Sequence, residues 1–289
     1  MSRVIGIDIG GTNFRIGLAD DGVIQKFRKL PVKQVLHSGN VLEDIASFIE
    51  SYAEGEGLDA VSIGFPATLN RERTTILQAP NLSFMENLPV VDYLSHRLNA
   101  RVYADRDVVM TLCYDLEKYE IPREGVIIGV YFGTGIGNAI MIDGQHLTGR
   151  NGTAGELGHI PVEGSEVVCG CGLTGCIENL AGGKYLAGRY GPDEVAEAFV
   201  KHREELGVFV ERMAVSVAVE VNILDPEYVI LGGGVLNMPG FPKEDLHAKI
   251  LEHVRRPYPA ENLRVIFAED EPHKSVQGAV YYALEHADM

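Results

Sequence analysis

Positive charge is scarce in this chain: 25 Lys and Arg stand against 41 Asp and Glu in 289 residues, for a formal net charge of −16 and a pI near 5.0. That shortage opposes non-specific nucleic-acid binding, which neutralises phosphates with clustered basic side chains. An anionic ligand would need local help from backbone amides or a cation. Cysteine is scarce as well, four in all, and the chain shows no secretory context in which a disulfide framework would form. Long apolar runs are missing, none approaching the roughly twenty residues of a membrane span. The first residues run from Met1 straight into a strand pattern at Arg3 without a charged leader and apolar core, so the expectation is a soluble cytoplasmic protein. A hydrophobic content of 46% supports a real core, and the length leaves room for one large domain or two of ordinary size.

Three of the four cysteines fall in the stretch that organises the chain. His159, Cys169, Cys171 and Cys176 lie within eighteen positions, a spacing that suits a tetrahedral zinc set. A closed shell of one His and three Cys is structural, because no position remains for an activated water. The alternatives are ordinary buried thiols or disulfides; the latter fit poorly, since Cys169 and Cys171 are too close to bridge comfortably and Cys113 is distant. Glu156 precedes His159 by one helical turn and Glu178 follows Cys176 by two residues. Ordering the loop would therefore fix two carboxylates and an imidazole, groups that suit sugar hydroxyls because hydroxyls both donate and accept.

Residues 3–9 form an apolar run that ends in Asp8-Ile9-Gly10-Gly11-Thr12, followed by alternating Phe14 to Leu18 and a turn at Asp21-Gly22. This reads as antiparallel strands around a Gly-rich turn, where backbone amides can approach a ligand closely. A tight hairpin with no ligand would use similar residues. The pattern recurs, however: Val126 to Phe132 lead into Gly133-Thr134-Gly135, and a turn follows at Asp143-Gly144. Gly11-Thr12 maps onto Gly133-Thr134 and Asp21-Gly22 onto Asp143-Gly144, both at an offset of 122 residues. The agreement implies a duplication, two related α/β domains each presenting a Gly-Thr hairpin to a cleft between them. Two phosphate-facing loops suit a nucleotide triphosphate; a strand follows each, which departs from the strand-to-helix dinucleotide fingerprint.

The domains are expected at 1–117, with the last helix (273–289) packing back on it, and at 118–272, with a hinge at 118–124. Amphipathic spacing predicts a helix over 41–52, and Ala60–Phe65 a strand broken at Gly64-Phe65-Pro66. Asn81 either serves a ligand or closes its own turn. Val102 to Asp107 hands a strand over to a helix, with Asp107 at the natural N-cap; capping alone would explain it, whereas a carboxylate there could also take the proton of an attacking hydroxyl. A charge-rich helix solvated on one face is expected over 193–206, an apolar helix over 207–223, and a strand at 228–231 running into Gly232-Gly233-Gly234. Those glycines leave space for a flat ring or make a tight turn. Helices over 242–254 and 275–286 and a strand over 263–267 complete the pattern, with Gly278 and Ala279 marking a close contact.

Taken together these motifs resemble the ROK sugar kinases (repressor, open reading frame, kinase) of the actin-like ATPase superfamily, over nearly the whole length. The carriers are Asp8-x-Gly-Gly-Thr12, the Asp107 segment, Gly133-Thr134-Gly135, Glu156-x-Gly-His159, the Cys169-x-Cys171-x4-Cys176-x-Glu178 loop and Gly232-Gly233-Gly234. The Glu-x-Gly-His element with its cysteine loop is the specific one. Within the family the chain is most similar to bacterial D-allose kinases, through segments such as Gly64-Phe65-Pro66-Ala67, Pro80-Asn81-Leu82 and Arg106-Asp107-Val108. Most members carry Asn before the catalytic Asp and again two residues after it; Arg106 and Val109 stand there instead.

The resemblance implies two actin-like, ribonuclease-H-like ATPase domains with an interdomain cleft, and phosphoryl transfer from ATP to a sugar primary hydroxyl. Asp107 would be the general base. Mg²⁺ and the amides of Gly10, Gly11, Thr12, Gly133, Thr134 and Gly135 would hold the phosphates, with Asp8 assisting the metal through water. Gly232, Gly233 and Gly234 would lie near the nucleoside. Gly64, Asn81, Arg106, Glu156, His159 and Glu178 would meet the sugar, His159 also binding the structural zinc. Family habit implies a homodimer. D-Allose is the leading substrate, ahead of glucose, N-acetylmannosamine or fructose. The competing class is a sugar-responsive regulator or sensor on the same scaffold, against which the negative charge and the strand beginning at Arg3 both argue.

Overall fold

The computed structural model describes residues 2–80 and 82–287. By its own contacts the chain divides into two units. The first comprises Met1–Pro122, Thr148–Ala154 and Glu271–Met289; the second comprises Arg123–Leu147 and Gly155–Asp270. The boundary after Pro122 lies five residues beyond the expected one, and the short 148–154 segment belongs with the first unit.

In the first unit β1 (Arg3–Ile9), β2 (Asn13–Asp20) and β3 (Val23–Pro31) form an antiparallel meander. Residues 4–9 of β1 are all buried, as befits a strand covered on both faces. Asp21 and Gly22 both take positive φ, 47° and 82°, the pairing a two-residue hairpin turn requires. A short α1 (Val32–Val35) precedes α2 (Val41–Tyr52), which Asn40 caps by accepting from the Glu43 amide at 3.4 Å. The apolar face of α2 buries Leu42, Ile45, Ile49 and Tyr52. Next come β4 (Ala60–Phe65), parallel to β1, and a small ribbon of β5 (Thr68–Leu69) and β6 (Ile76–Gln78). α3 (Val90–Leu98) ends on Asn99 in the left-handed region. β7 (Arg101–Arg106) pairs parallel with β4 and leads into α4 (Asp107–Lys118). The sheet order is β3-β2-β1-β4-β7.

The second unit repeats this plan. β8 (Val126–Phe132), β9 (Ile136–Ile142) and β10 (Gln145–His146) form its meander. After the cysteine loop come α5 (Glu178–Ala181), α6 (Gly183–Glu194), α7 (Ala198–Lys201) and α8 (Gly207–Leu224). β11 (Tyr228–Gly232), α9 (Lys243–His253) and β12 (Arg264–Phe267) follow, giving the order β10-β9-β8-β11-β12. Hairpin chemistry repeats in detail. Ser2 N donates to Asp21 Oδ1 at 2.8 Å, and Gly125 N donates to Asp143 Oδ1 at 2.9 Å. Asp143 and Gly144 again have positive φ, 47° and 79°.

Each unit has its own core. Ile5, Ile7, Phe14, Ile45, Ile63 and Phe65 anchor the first, and Ile128, Phe132, Phe209, Met213, Val217 and Leu231 the second. The final helix, α10 (Lys274–Ala287), rejoins the first unit. A Cβ at Gly278 would collide with the Met110 carbonyl of α4, and one at Gly6 with the Val276 carbonyl of α10. Two glycines thus let β1, α10 and α4 approach backbone to backbone. Lys274 and Asp115 close the same contact as a buried ion pair at 2.7 Å.

One expected element is corrected. There is no single solvated helix over 193–206: α6 breaks at Gly191 (φ 70°, ψ 177°) beside Pro192, a 3₁₀ turn spans Val195–Glu197, and α7 is a single turn. Phe199 and Leu206 are buried, so the segment packs as an irregular cover and its charges flank that contact. Among the described residues no helix is long and apolar enough to cross a membrane.

Candidate active site

Asp8 is the penultimate residue of β1 in the first unit, with its side chain 8% exposed. Arg15, its cross-strand neighbour on β2, reaches Oδ2 at 2.5 Å, and Ser275 Oγ donates to the same oxygen at 2.8 Å. In the turn that follows, Gly10 N donates to Asn13 O at 2.8 Å. Gly10 is therefore no ligand donor, because its amide closes the turn. Gly11 and Thr12 are exposed, and their amides have no partner among the described residues.

Asp107 opens α4 as its first helical residue; the N-cap is Arg106, one place earlier than expected. Its Oδ1 accepts from the Val108 amide at 2.8 Å, and the amides of the first turn favour a carboxylate here. Gly64 lies beneath this turn: a Cβ there would sit 3.2 Å from Asp107 Cα and 3.0 Å from Met110 Cγ. In this structure Gly64 makes room for α4. Asn81 lies outside the described residues. Val109 is 2% exposed, so an amide at that position would be buried and would need a hydrogen-bond partner there.

Arg106 is buried at 6% exposure, and its Nη2 donates to Ala154 O at 2.7 Å. Arg73 supports the same segment, with Nη1 donating to Gly152 O at 3.0 Å and Nε 3.2 Å from Asp105 Oδ1. Tyr282 OH donates to the other Asp105 oxygen at 3.1 Å. The buried Arg106 and the largely covered Arg73 thus hold the Ala154 and Gly152 carbonyls of the 148–154 segment.

In the second unit Gly133 N donates across its own turn to Gly135 O at 3.0 Å, which again removes the first glycine from the ligand donors. The amides of Thr134 and Gly135 have no partner among the described residues. Gly183 N donates to Gly133 O at 2.7 Å and Lys184 N to Thr134 O at 2.9 Å, so the start of α6 braces the turn. A Cβ at Gly135 would collide with the Glu178 carboxylate. Of the three later glycines, Gly232 packs on the Tyr131 ring and Gly233 (φ 96°) on the Phe132 backbone; only Gly234 faces open space. The close-packing reading therefore holds for the first two.

His159 closes a 3₁₀ turn (Leu157–His159). Its Nε2 lies 3.6 Å from Glu156 Oε2, while Nδ1 lies 3.8 Å from Glu178 Oε1 and 3.7 Å from Cys169 Sγ. Cys169 Sγ donates to Glu178 Oε1 at 3.1 Å, and Cys171 and Cys176 sulfurs are 3.6 Å apart. That separation is far beyond a sulfur–sulfur bond of about 2.05 Å, and among the described residues none of the four cysteines forms a disulfide. One donor atom from each of His159, Cys169, Cys171 and Cys176 lies within 4.8 Å of the others. Ligands held tetrahedrally at about 2.3 Å stand about 3.7 Å apart, so the set fits zinc. Burial pushes the Cys176 thiol up to about 12 and raises Cys169 also, whereas the Leu173 amide lowers Cys171. Sulfurs crowded in this way need a cation to become thiolates together. The loop is shaped for it: Cys169 N donates to Leu173 O at 2.8 Å, and Gly172 and Gly175 take φ of 92° and 85°.

The sequence pattern did not point to Arg15, Ser275, Arg73 or the 148–154 segment. Ser275 meets Asp8 across 267 positions, and no local spacing signals such a contact. The cross-strand register of Asp8 and Arg15 was readable, had the first hairpin been paired residue by residue.

Residues 4–286 match the ROK family. The chain is 31% identical over 285 residues to a glucokinase of Thermotoga maritima, covering 87% of this chain and 88% of that protein. It is 29% identical over 263 residues to an N-acetyl-D-glucosamine kinase of Pectobacterium carotovorum, covering 80% and 84%. The ROK hexokinase structure from Thermus thermophilus aligns with TM-score 0.76 at 25% identity, over 99% of this chain and 100% of that one. In fold alone, a ROK family glucokinase from Streptomyces griseus in complex with glucose and AMPPNP aligns with TM-score 0.80 at 24% identity, over 98% and 100%. With paired mixed α/β units of the actin-like ATPase class and a match over nearly its whole length, the chain belongs to the ROK family.

Proposed function

We propose that the protein is an ATP-dependent hexose kinase that phosphorylates a sugar primary hydroxyl. The observation that carries this reading is that each unit has a Gly-Thr turn with two successive open amides, Gly11 and Thr12 in the first and Thr134 and Gly135 in the second, the threonine amide being common to both at the 122-residue offset. Such amides suit phosphate oxygens. The kinase names of the T. maritima and P. carotovorum relatives support it.

In this reading Gly11, Thr12, Thr134 and Gly135 donate to the phosphates of ATP, and Gly234 faces the nucleoside. Asp8, through its open oxygen, would hold Mg²⁺ by way of water, and the ion would supply neutralisation of phosphate charge. Glu156, His159 and Glu178 hold the sugar, His159 using Nε2 toward it and Nδ1 toward zinc. Zinc, which His159, Cys169, Cys171 and Cys176 would hold, would supply loop rigidity alone. The sugar hydroxyl oxygen bonds to the γ-phosphorus as the bond to the β,γ-bridging oxygen breaks, ADP leaves, and the hydroxyl proton passes to the Asp107 carboxylate. We assign D-allose as the preferred sugar, on the allose-kinase-like segments around Gly64 and Arg106-Asp107-Val108. Glucose, N-acetylglucosamine, N-acetylmannosamine and fructose are the competitors.

A coupled assay of ADP release over these hexoses tests the reading. ATP turnover dependent on one of them, with the highest kcat/KM on allose, is the expected result. Turnover highest on glucose or N-acetylglucosamine would replace the sugar and keep the activity. Sugar binding with no turnover on any of them would make the protein a sensor.

A further inference from the structure

We infer that Ser275 and Arg15 are positioning residues that aim the Asp8 carboxylate, so that α10 sets how tightly the metal-bound nucleotide is held. The inference rests on the proposed role of Asp8 beside Mg²⁺. Its ground is an asymmetry: both bonds to the carboxylate fall on Oδ2, from Arg15 Nη1 at 2.5 Å and Ser275 Oγ at 2.8 Å. Oδ1 accepts none among the described residues and is not a fully buried atom, so it stays accessible. An accessible oxygen near the end of β1, three residues before the first open amide at Gly11, can take a partner from outside the chain.

The Arg15 contact alone would be an ordinary cross-strand pair. The Ser275 contact is different, since it arrives from a helix 267 positions away and pins the same oxygen from a second direction. A carboxylate held twice on one oxygen cannot rotate about its terminal torsion without breaking both bonds, so the other oxygen keeps one direction. Ser275 is in turn flanked by anchored residues. It lies between Lys274, paired with buried Asp115, and Val276, whose carbonyl rests on Gly6. Gln277 Nε2 adds a bond to Gly22 O at 2.7 Å. Removing the hydroxyl leaves Arg15 as a single pivot and frees the torsion. The metal then loses direction in its partner while the fold keeps its core.

The test is calorimetric binding of AMPPNP to the full chain across a Mg²⁺ titration, with Ser275→Ala, Ser275→Thr, Arg15→Lys and Asp8→Asn. Ser275→Ala and Arg15→Lys should each raise the half-saturating Mg²⁺ about fivefold. Metal-free AMPPNP affinity and melting temperature should stay at wild-type values, and Ser275→Thr should restore the Mg²⁺ response. If Asp8→Asn abolishes the response while both Ser275→Ala and Arg15→Lys leave it unchanged, the positioning role is overturned and the Asp8 assignment stands. If Asp8→Asn also leaves it unchanged, the Asp8 assignment falls and the inference with it. A Ser275→Ala protein that melts early gives no ground for a structural role so long as Arg15→Lys, which keeps the charge, shifts the Mg²⁺ response with an unchanged melting temperature.

Discussion

The Arg106 guanidinium donates to the Ala154 carbonyl at 2.7 Å, two residues before Glu156 in the chain. The bond gives Arg106 a purpose that a shorter amide side chain could not reach to serve. With Arg73 on the Gly152 carbonyl, it fixes the segment from which the chain runs into the carboxylate proposed to grip the sugar. Arg106→Ala should therefore raise the KM for sugar about tenfold, the cost of about one charge-assisted hydrogen bond, with the KM for ATP within about twofold. Steady-state kinetics with each substrate varied in turn checks this, and equal rises in both constants would refute it.

Asp107 leads α4 with its carboxylate at the helix start. Asp107→Asn keeps the size and the bond from the Val108 amide but removes the proton acceptor. Expected is a fall in kcat of about 10²- to 10⁴-fold, the range typical for a general base, with sugar and nucleotide affinity retained. Turnover within tenfold of wild type would remove Asp107 from the mechanism.

Cys171 is the exposed member of the four-ligand set. Cys171→Ser should lose zinc by elemental analysis of the purified protein and most of the sugar affinity, because His159 and Glu178 are held by the same loop. AMPPNP affinity should change little, since the turn at Gly133–Gly135 is braced by Gly183 and Lys184, which lie outside the loop. Equal loss of both affinities would mean that the loop supports the whole second unit.

Much of this was legible before any coordinates. The offset of the two Gly-Thr turns announced the repeat, since a hairpin writes its signature within a few residues: Asp21-Gly22 and Asp143-Gly144 each carry the positive φ pair. The cysteine loop was equally local. Illegible were contacts made by topology, such as Ser275 on Asp8 and Arg73 on the 148–154 segment, which no window of sequence contains. α3 and α6 were missed as well, α6 because Gly191 and Pro192 interrupt its pattern. The charge-rich stretch that followed was misread for a related reason: the buried Phe199 and Leu206 recur too sparsely to mark a face.

Glu220 supplies the last prediction. It sits on α8, 6% exposed, and accepts from Asn138 Nδ2 at 3.0 Å, while Asn138 Oδ1 has no partner among the described residues. Burial raises the Glu220 carboxyl from its ordinary value of 4.5 to about 7, the bond from Asn138 opposing the rise. Below about pH 4.5 both folded and unfolded chains carry the proton, and the contribution to stability is complete. Between about 4.5 and 7 the unfolded chain gives the proton up while the folded one keeps it, so stability falls. Above about 7 the loss is complete, on the order of 3 kcal/mol for a shift of this size. Glu220→Gln keeps an acceptor for Asn138 Nδ2, adds a donor that ionisation cannot remove, and abolishes the proton. Urea unfolding of both proteins at pH 5 and pH 8 should show the variant gaining on wild type as pH rises, since the other titrating groups cancel in the difference. A difference that stays flat between those two pH values would mean that Glu220 is charged in the folded core.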